Sequence, residues 1–236
     1  QRQMCIRDRG MTTEYLQSDP ERSTGMVNVI INDNEPSYDI VPHCAYDAIE
    51  PVSGTVDCQL LYHGSLALRE SQSRLALQSL KQQKPRLIFV DVNLRPPWWQ
   101  RDQLDEMLKH AHWVKLNTDE LEQLAIDEDN SAQTAVAFMR KYQLKGLIIT
   151  HGADGAELLA ENGDHFQVEP IANVEIVDTV GAGDALTSII ILGLTNDWPL
   201  EQTLQRAQQF ASAIVGQRGA TIGERKFYQS YVDAWL

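Results

Sequence analysis

From residue 59 onward the sequence alternates between short apolar runs and longer segments with apolar side chains at helical spacing. The run at 87–90 is continuously apolar, as in strands buried on both faces, whereas 70–82 carries Leu75, Leu77 and Leu80 on a polar background. Parallel strands need a crossover connection, which is usually a helix. The alternation therefore predicts an α/β fold with a mostly parallel sheet and helices on both faces.

The same pattern sets the expected element boundaries. We predict strands at 59–62, 87–90, 113–116, 146–150 and 174–177. We predict helices at 70–82, 101–110, from Thr118, and at 131–142, 183–194, 199–215 and 224–235. An Asn-Gly pair at Asn162 and Gly163 favours a hairpin between short strands within 155–177, since this pair suits a tight β-turn.

The first 42 residues follow a different pattern. Residues 26–31 and 38–41 are rich in β-forming side chains and flank the polar turn 32–35, which predicts a hairpin with a long loop. Residues 1–10 have no strand or helix period and read as a leader of vector origin. We thus expect three regions: this leader, a partial β lid at 24–42, and an α/β core at 46–236.

Composition excludes several classes of function. The 236 residues are 43% hydrophobic, enough for a full core, and 20 basic against 33 acidic side chains give a formal net charge of −13. Long-range electrostatics then disfavours nucleic acid or an anionic membrane as a partner. Cys5, Cys44 and Cys58 form no Cys-x-x-Cys pair, which favours reduced thiols in a cytoplasmic protein.

The stretch from Asp178 to Asp184 (Asp-Thr-Val-Gly-Ala-Gly-Asp) is the strongest chemical signal. Its glycines, Gly181 and Gly183, allow a sharp turn into the helix, and a helix N-terminus offers unpaired N–H donors to an anion. A carboxylate would repel a phosphate there unless it accepts a proton from an attacking hydroxyl. The pattern thus favours phosphoryl transfer, with a helix-capping Asp184 as the alternative.

Three further polar clusters follow predicted strands, and in open α/β sheets ligands bind at the carboxyl ends of the strands. In Asp91-x-Asn93-x-Arg95 the guanidinium could bind a charged group, or Asp and Arg could pair with each other and stabilise a loop. In Asn117-x-x-Glu120 the carboxylate could bind Mg²⁺, or the two residues could form a capping box at a helix start. Gly152 and Gly155 follow Thr150, and this spacing fits either close approach of a nucleotide to the backbone or an ordinary strand–turn–strand.

The 178–184 stretch resembles the C-terminal signature of the PfkB (ribokinase-like) carbohydrate kinases. The resemblance implies a ribokinase-like sheet flanked by helices, with a small β lid that often forms a dimer. It implies ATP as phosphoryl donor, Mg²⁺ held largely through water, and K⁺ as a further cation. For catalysis the resemblance implies Asp184 as base and Gly181, Ala182 and Gly183 as anion hole. It implies that Asn93 and Arg95 face the sugar or the phosphoryl donor. It implies Asn117 and Glu120 as the residues at Mg²⁺, Asp178 as the residue at K⁺, and Thr150, Gly152, Gly155 and Gln208 as the residues at the nucleotide.

The chain departs from the family pattern at several points. Leu186 stands where the family has Phe, and Gln208 where it has Asn beside the adenine. Nothing matches the early sugar-binding Gly-Gly…Asn motif, so we expect an N-terminally truncated kinase that lacks part of the sheet and much of the sugar site. Residues 91–97 and 64–69 resemble the fructokinase branch, which makes fructose the leading substrate.

Two alternatives remain open from the sequence. One is a nucleotide-binding fragment without turnover. The other is a Rossmann-type dehydrogenase, which is disfavoured because Leu186 stands where the third glycine or alanine belongs. A P-loop kinase is disfavoured because no Gly-x-x-x-x-Gly-Lys-Ser/Thr motif occurs.

Overall fold

The computed structural model describes residues 6, 10–32, 35–124, 131–171 and 174–236. The strands are β1 (Val27–Asn32), β2 (Glu35–Ile40), β3 (Leu60–Gly64), β4 (Leu87–Asp91), β5 (Trp113–Asn117), β6 (Gly146–Thr150), β7 (Ala156–Ala160) and β8 (His165–Val168). The α-helices are α1 (Ser71–Gln82), α2 (Arg101–Leu108), α3 (Thr118–Leu124), α4 (Ser131–Tyr142), α5 (Ala182–Thr195), α6 (Leu200–Val215) and α7 (Arg225–Trp235). The predicted leader lies outside these residues except for Ile6 and Gly10.

Six strands form one sheet in the order β3-β4-β5-β6-β7-β8. The pairs from β3 to β6 are parallel, and the pairs from β6 to β8 are antiparallel. The parallel pairs are those joined by helical crossovers, and the antiparallel β7–β8 pair is the hairpin predicted at Asn162 and Gly163. The α/β prediction is thus confirmed, with a mixed sheet.

Two apolar cores cover the two faces of this sheet, because successive strand residues point to opposite sides. On one face Ile88, Val114 and Leu147 pack with residues of α2, α3 and α4. On the other face Phe89 and Ile148 pack with residues of α5, α6 and α7. No helix in the described part of the chain is long and apolar enough to span a membrane.

The strands β1 and β2 pair antiparallel with each other and form a separate two-stranded sheet, which confirms the predicted antiparallel pairing. The long loop expected between them is wrong, because the strands extend to Asn32 and Glu35, which pair with each other. A buried ion pair anchors the chain just beyond it. The Arg69 guanidinium donates to both Asp47 carboxylate oxygens at 2.7 Å and to the Val41 carbonyl at 3.1 Å. It also lies 4.5 Å from the Trp98 ring centre. The hairpin base is thereby tied to the loop that follows β4.

The strand predicted at 174–177 does not form in the described residues. Val177 and Asp178 instead donate their N–H groups to the carbonyl of Val215, at the end of α6. Ile176 and Val177 are more than half exposed. The described part of the segment is therefore hydrogen-bonded to the end of α6 and does not pair with a strand of the sheet.

Candidate active site

The turn into α5 is built on glycine. Gly181 precedes the helix with φ of 88°, a left-handed conformation that costs a side-chain-bearing residue energy. A Cβ on Gly181 would also lie 2.6 Å from the Cα of Ala220. Backbone conformation and close packing thus both require glycine, and they bring the late 219–221 segment against the turn.

Asp184 lies in the first turn of α5 and is exposed. Among the described residues its carboxylate has no hydrogen-bond partner, so it does not cap the helix. The amides of Gly183 and Asp184 likewise have no acceptor there, as expected for the first residues of a helix. Ala182 donates its N–H to the Thr179 carbonyl at 3.3 Å. The site thus presents unpaired N–H donors beside a free carboxylate.

Asp178 fixes the start of this turn. One carboxylate oxygen accepts the Val180 N–H at 3.0 Å, and the other accepts the Gly219 N–H at 2.9 Å. These two hydrogen bonds, the Val180 bond foremost, lower the pKa of Asp178. Asp178 therefore joins two segments that lie 41 residues apart in sequence.

A buried ion pair that the sequence did not reveal lies against the same turn. The Lys115 ammonium is 2.9 and 3.1 Å from the two carboxylate oxygens of Asp91. It also lies 3.2 Å from where a Cβ on Gly183 would stand. The alternative in which Asp91 pairs with Arg95 is wrong, because Asp91 points to the α5 face and meets Lys115 on the adjacent strand. Only the pairing of β4 with β5 could have revealed this contact.

The Asn117–Glu120 motif forms a capping box at the start of α3. Glu120 donates its N–H to the Asn117 side-chain oxygen at 2.8 Å, and Glu120 Oε2 accepts the Asn117 N–H at 2.9 Å. The other oxygen, Oε1, accepts the Leu94 N–H at 2.6 Å. Burial raises the pKa of Glu120 despite these bonds, so desolvation outweighs them.

The loop after β4 is held by its backbone and leaves its polar side chains outside. Asn93 is exposed, with φ of 43°, and its carbonyl accepts the Ser65 hydroxyl at 3.3 Å. Arg95 is exposed, and its side chain has no partner among the described residues. Leu94, between them, is buried. Asn93 and Arg95 are therefore available to a ligand.

The residues predicted at the nucleotide differ in what surrounds them. Thr150 ends β6 beside Asn117 of β5. Gly152 has φ of 60° and open space around its Cα. Gly155 is required by packing, since a Cβ there would lie 2.0 Å from the Val168 carbonyl oxygen. Gln208 is buried within α6, and its amide contacts Ser212 at 3.3 Å.

Two cavities among the described residues lie away from Asp184. One of about 640 Å³ lies at the amino ends of the strands, around Lys81, Ile88 and His112. Another, of about 470 Å³, lies between Trp99 and α3. Asp184 itself is exposed, and no cluster of three or more metal-binding side chains occurs in the part of the chain that the structure describes.

The comparison with known proteins gives a family and several relatives. The match to the pfkB family carbohydrate kinase covers residues 5–226. The aminoimidazole riboside kinase of Salmonella typhimurium is 27% identical, over 91% of this chain and 72% of its own length. The fructokinase of Escherichia coli is 26% identical, over 92% of this chain and 76% of its own length. The 5-dehydro-2-deoxygluconokinase of Geobacillus kaustophilus is 30% identical over 66% of this chain, which spans only 49% of that relative.

Solved structures share the fold. A Salmonella enterica aminoimidazole riboside kinase complexed with aminoimidazole riboside and an ATP analogue has a TM-score of 0.77 at 24% identity, over 98% of this chain and 80% of its own. A Vibrio cholerae fructokinase bound to fructose, ADP and calcium ion has a TM-score of 0.77 at 22% identity, over 96% of this chain and 79% of its own. Since the family match extends over most of the sequence, the chain belongs to the pfkB family of carbohydrate kinases, which are phosphotransferases with a ribokinase-like fold.

Proposed function

We propose that this chain transfers a phosphoryl group from ATP to a hydroxyl of a small sugar, with Asp184 as the general base. The observation that carries the proposal is the pairing of a free, exposed carboxylate with unpaired amides at the start of α5. Asp184 would take the proton of the attacking hydroxyl. The N–H groups of Gly181 and Gly183 in the Gly181-Ala182-Gly183 turn, together with that of Asp184, would hold the charge on the transferring group, since the Ala182 N–H is donated to Thr179.

The residues expected at Mg²⁺ fit an ion that is held through water. Each Glu120 oxygen already accepts one backbone N–H, and a carboxylate oxygen has a second lone pair for a water ligand. Mg²⁺ keeps several waters and needs few protein ligands. We therefore assign Asn117 and Glu120 to the magnesium-bound waters, where the ion would offset phosphate charge.

The nucleotide would lie along the carboxyl ends of β5 and β6. Thr150 and the open backbone at Gly152 suit approach of its phosphates and ribose. We assign Gly155 and Gln208 only indirect roles there, since packing accounts for both. A potassium ion at Asp178 would use lone pairs that the Val180 and Gly219 amides leave free.

Fructose is the substrate we favour, with Asn93 and Arg95 facing the sugar or the donor. Fructokinases and a riboside kinase both occur among the relatives, so the acceptor is a matter for experiment. We further propose that 24–42 acts as a lid over the sugar and as a homodimer contact. The buried free thiol of Cys44 accords with a cytoplasmic location.

The test is ADP release from Mg·ATP with a panel of fructose, ribose, a nucleoside and a 2-keto-3-deoxy acid. The variant is Asp184→Ala, and the matched control is Asp102→Ala. Asp102 is also exposed and also lies in the first turn of a helix, α2. Both variants lose a favourable charge–dipole interaction, so a difference between them reports chemistry and not helix stability.

We expect sugar-dependent turnover that falls by about 10²–10⁴-fold in Asp184→Ala, as for the loss of a general base, and is unchanged in Asp102→Ala. Turnover that survives in Asp184→Ala would contradict the assignment of the base. ATP binding without turnover for any sugar would instead identify a nucleotide-binding fragment.

A further inference from the structure

The two charges of the Lys115–Asp91 pair lie one after the other along the first two turns of α5. The Lys115 ammonium lies beside Gly183, in the first turn. The Asp91 carboxylate lies one turn further in, where its Oδ2 is 3.3 Å from the Thr187 hydroxyl. That hydroxyl is also 2.9 Å from the Gly183 carbonyl oxygen, and its single proton can be donated to either acceptor. The positive end of the pair thus faces the N-terminus of the helix.

This order gives the ion pair the same direction as the helix macrodipole, whose N-terminal end is positive. Asp91 is buried and Lys115 is largely so, with side chains 6% and 11% exposed. Burial weakens solvent screening, so the field of the pair acts on the turn more strongly than that of a surface pair. Two further carboxylates lie near the pair: Glu120, which interacts with both Lys115 and Asp91, and Asp184, which follows Gly183 in the first turn of α5.

The position of Lys115 also accounts for the glycine at 183. A Cβ there would stand 3.2 Å from an ammonium that Asp91 holds in place on both oxygens. A side chain at 183 would therefore have to displace the Lys115 ammonium from its place beside the turn.

We propose that Lys115, fixed by Asp91, is a positioning residue that places a buried positive charge beneath the anion hole and so favours the terminal phosphoryl group of the donor nucleotide. The inference rests on the proposed function. It adds a determinant for the group that is transferred, as distinct from the nucleoside and its inner phosphates. It predicts a selective loss of preference for ATP over ADP when the charge is removed.

The test is calorimetric binding of ADP and of a non-hydrolysable ATP analogue, each with Mg²⁺, to the wild type and to Lys115→Met. Met ends at about the position of the lysine Cε, which would be 3.9 Å from a Cβ at 183, so it keeps the packing and removes the charge. Lys115→Arg is the conservative control. The double variant Lys115→Met/Asp91→Asn avoids a buried unpaired carboxylate and covers failure of the single variant to fold.

We expect the preference for the ATP analogue over ADP to fall about tenfold in Lys115→Met and in the double variant, with ADP affinity unchanged within about twofold. Lys115→Arg should retain most of the preference. An unchanged preference in the double variant, or an equal loss for both nucleotides, would overturn the inference while leaving the kinase proposal intact. A wild type that binds neither nucleotide would overturn the proposed function itself, and this inference with it.

Discussion

The buried pair of Arg69 and Asp47 allows a quantitative prediction for Arg69→Met. The two side chains are 4% and 3% exposed, and the guanidinium donates to both carboxylate oxygens at 2.7 Å. Removing the guanidinium would leave Asp47 charged and buried. It would also remove the donor to the Val41 carbonyl, at the base of the β1–β2 hairpin.

Breaking a buried ion pair by removing one partner costs about 3–5 kcal/mol, because the remaining charge stays desolvated. For a chain of this size a loss of 1 kcal/mol lowers the melting temperature by roughly 2–4 °C. The expected fall in melting temperature for Arg69→Met is therefore roughly 6–20 °C. Asp47 also accepts the Cys44 N–H at 3.1 Å, which holds the unpaired carboxylate in its buried position.

The assay is thermal unfolding followed by circular dichroism, with Lys109→Met as the matched control. Lys109 pairs with Glu106 at 3.2 Å, but these side chains are 62% and 65% exposed. Water screens an exposed pair, which stabilises a fold little, so the control should lower the melting temperature much less than Arg69→Met does. Equal shifts in Arg69→Met and Lys109→Met would refute the claim that burial of the pair determines its contribution.

Two further predictions concern backbone strain and pH. Gly155→Ala should destabilise the protein by about 2 kcal/mol more than Gly163→Ala in urea unfolding. Both glycines have positive φ, but only Gly155 has a backbone atom in the way, the Val168 carbonyl oxygen at 2.0 Å; equal losses would show that this clash relaxes. Burial lowers the pKa of His63 to about 4 in the folded protein, whereas the unfolded side chain protonates as the pH falls below about 6.5. Between these two values protonation therefore stabilises the unfolded chain alone. Wild type should therefore lose about 2 kcal/mol more than His63→Gln between pH 7 and pH 5, measured by urea unfolding at both values; a loss that is the same in both proteins would exclude His63 as its source.

Local patterns in the sequence were sufficient for most of the fold. Continuous apolar runs marked β4 and β6, leucine spacing marked α1, and the pair Asn162–Gly163 marked the β7–β8 hairpin. These signals are local because strand periodicity, helix periodicity and turn preference depend on residues a few positions apart. The segment 174–177 misled the same reasoning, since an apolar run does not specify whether its partner is a strand or a helix end.

The chemistry available at the turn can be read from the sequence: glycines that permit the turn, a carboxylate beyond them, and capping residues at Asn117 and Glu120. Which of these groups are free to act depends on the tertiary structure. Among the described residues, that structure leaves Asp184 without a partner, engages both Glu120 oxygens with backbone N–H groups, and places Lys115 beside Gly183. The physical reason is that a contact such as Lys115 with Asp91 joins residues 24 positions apart, through the register of two parallel strands that no local pattern encodes.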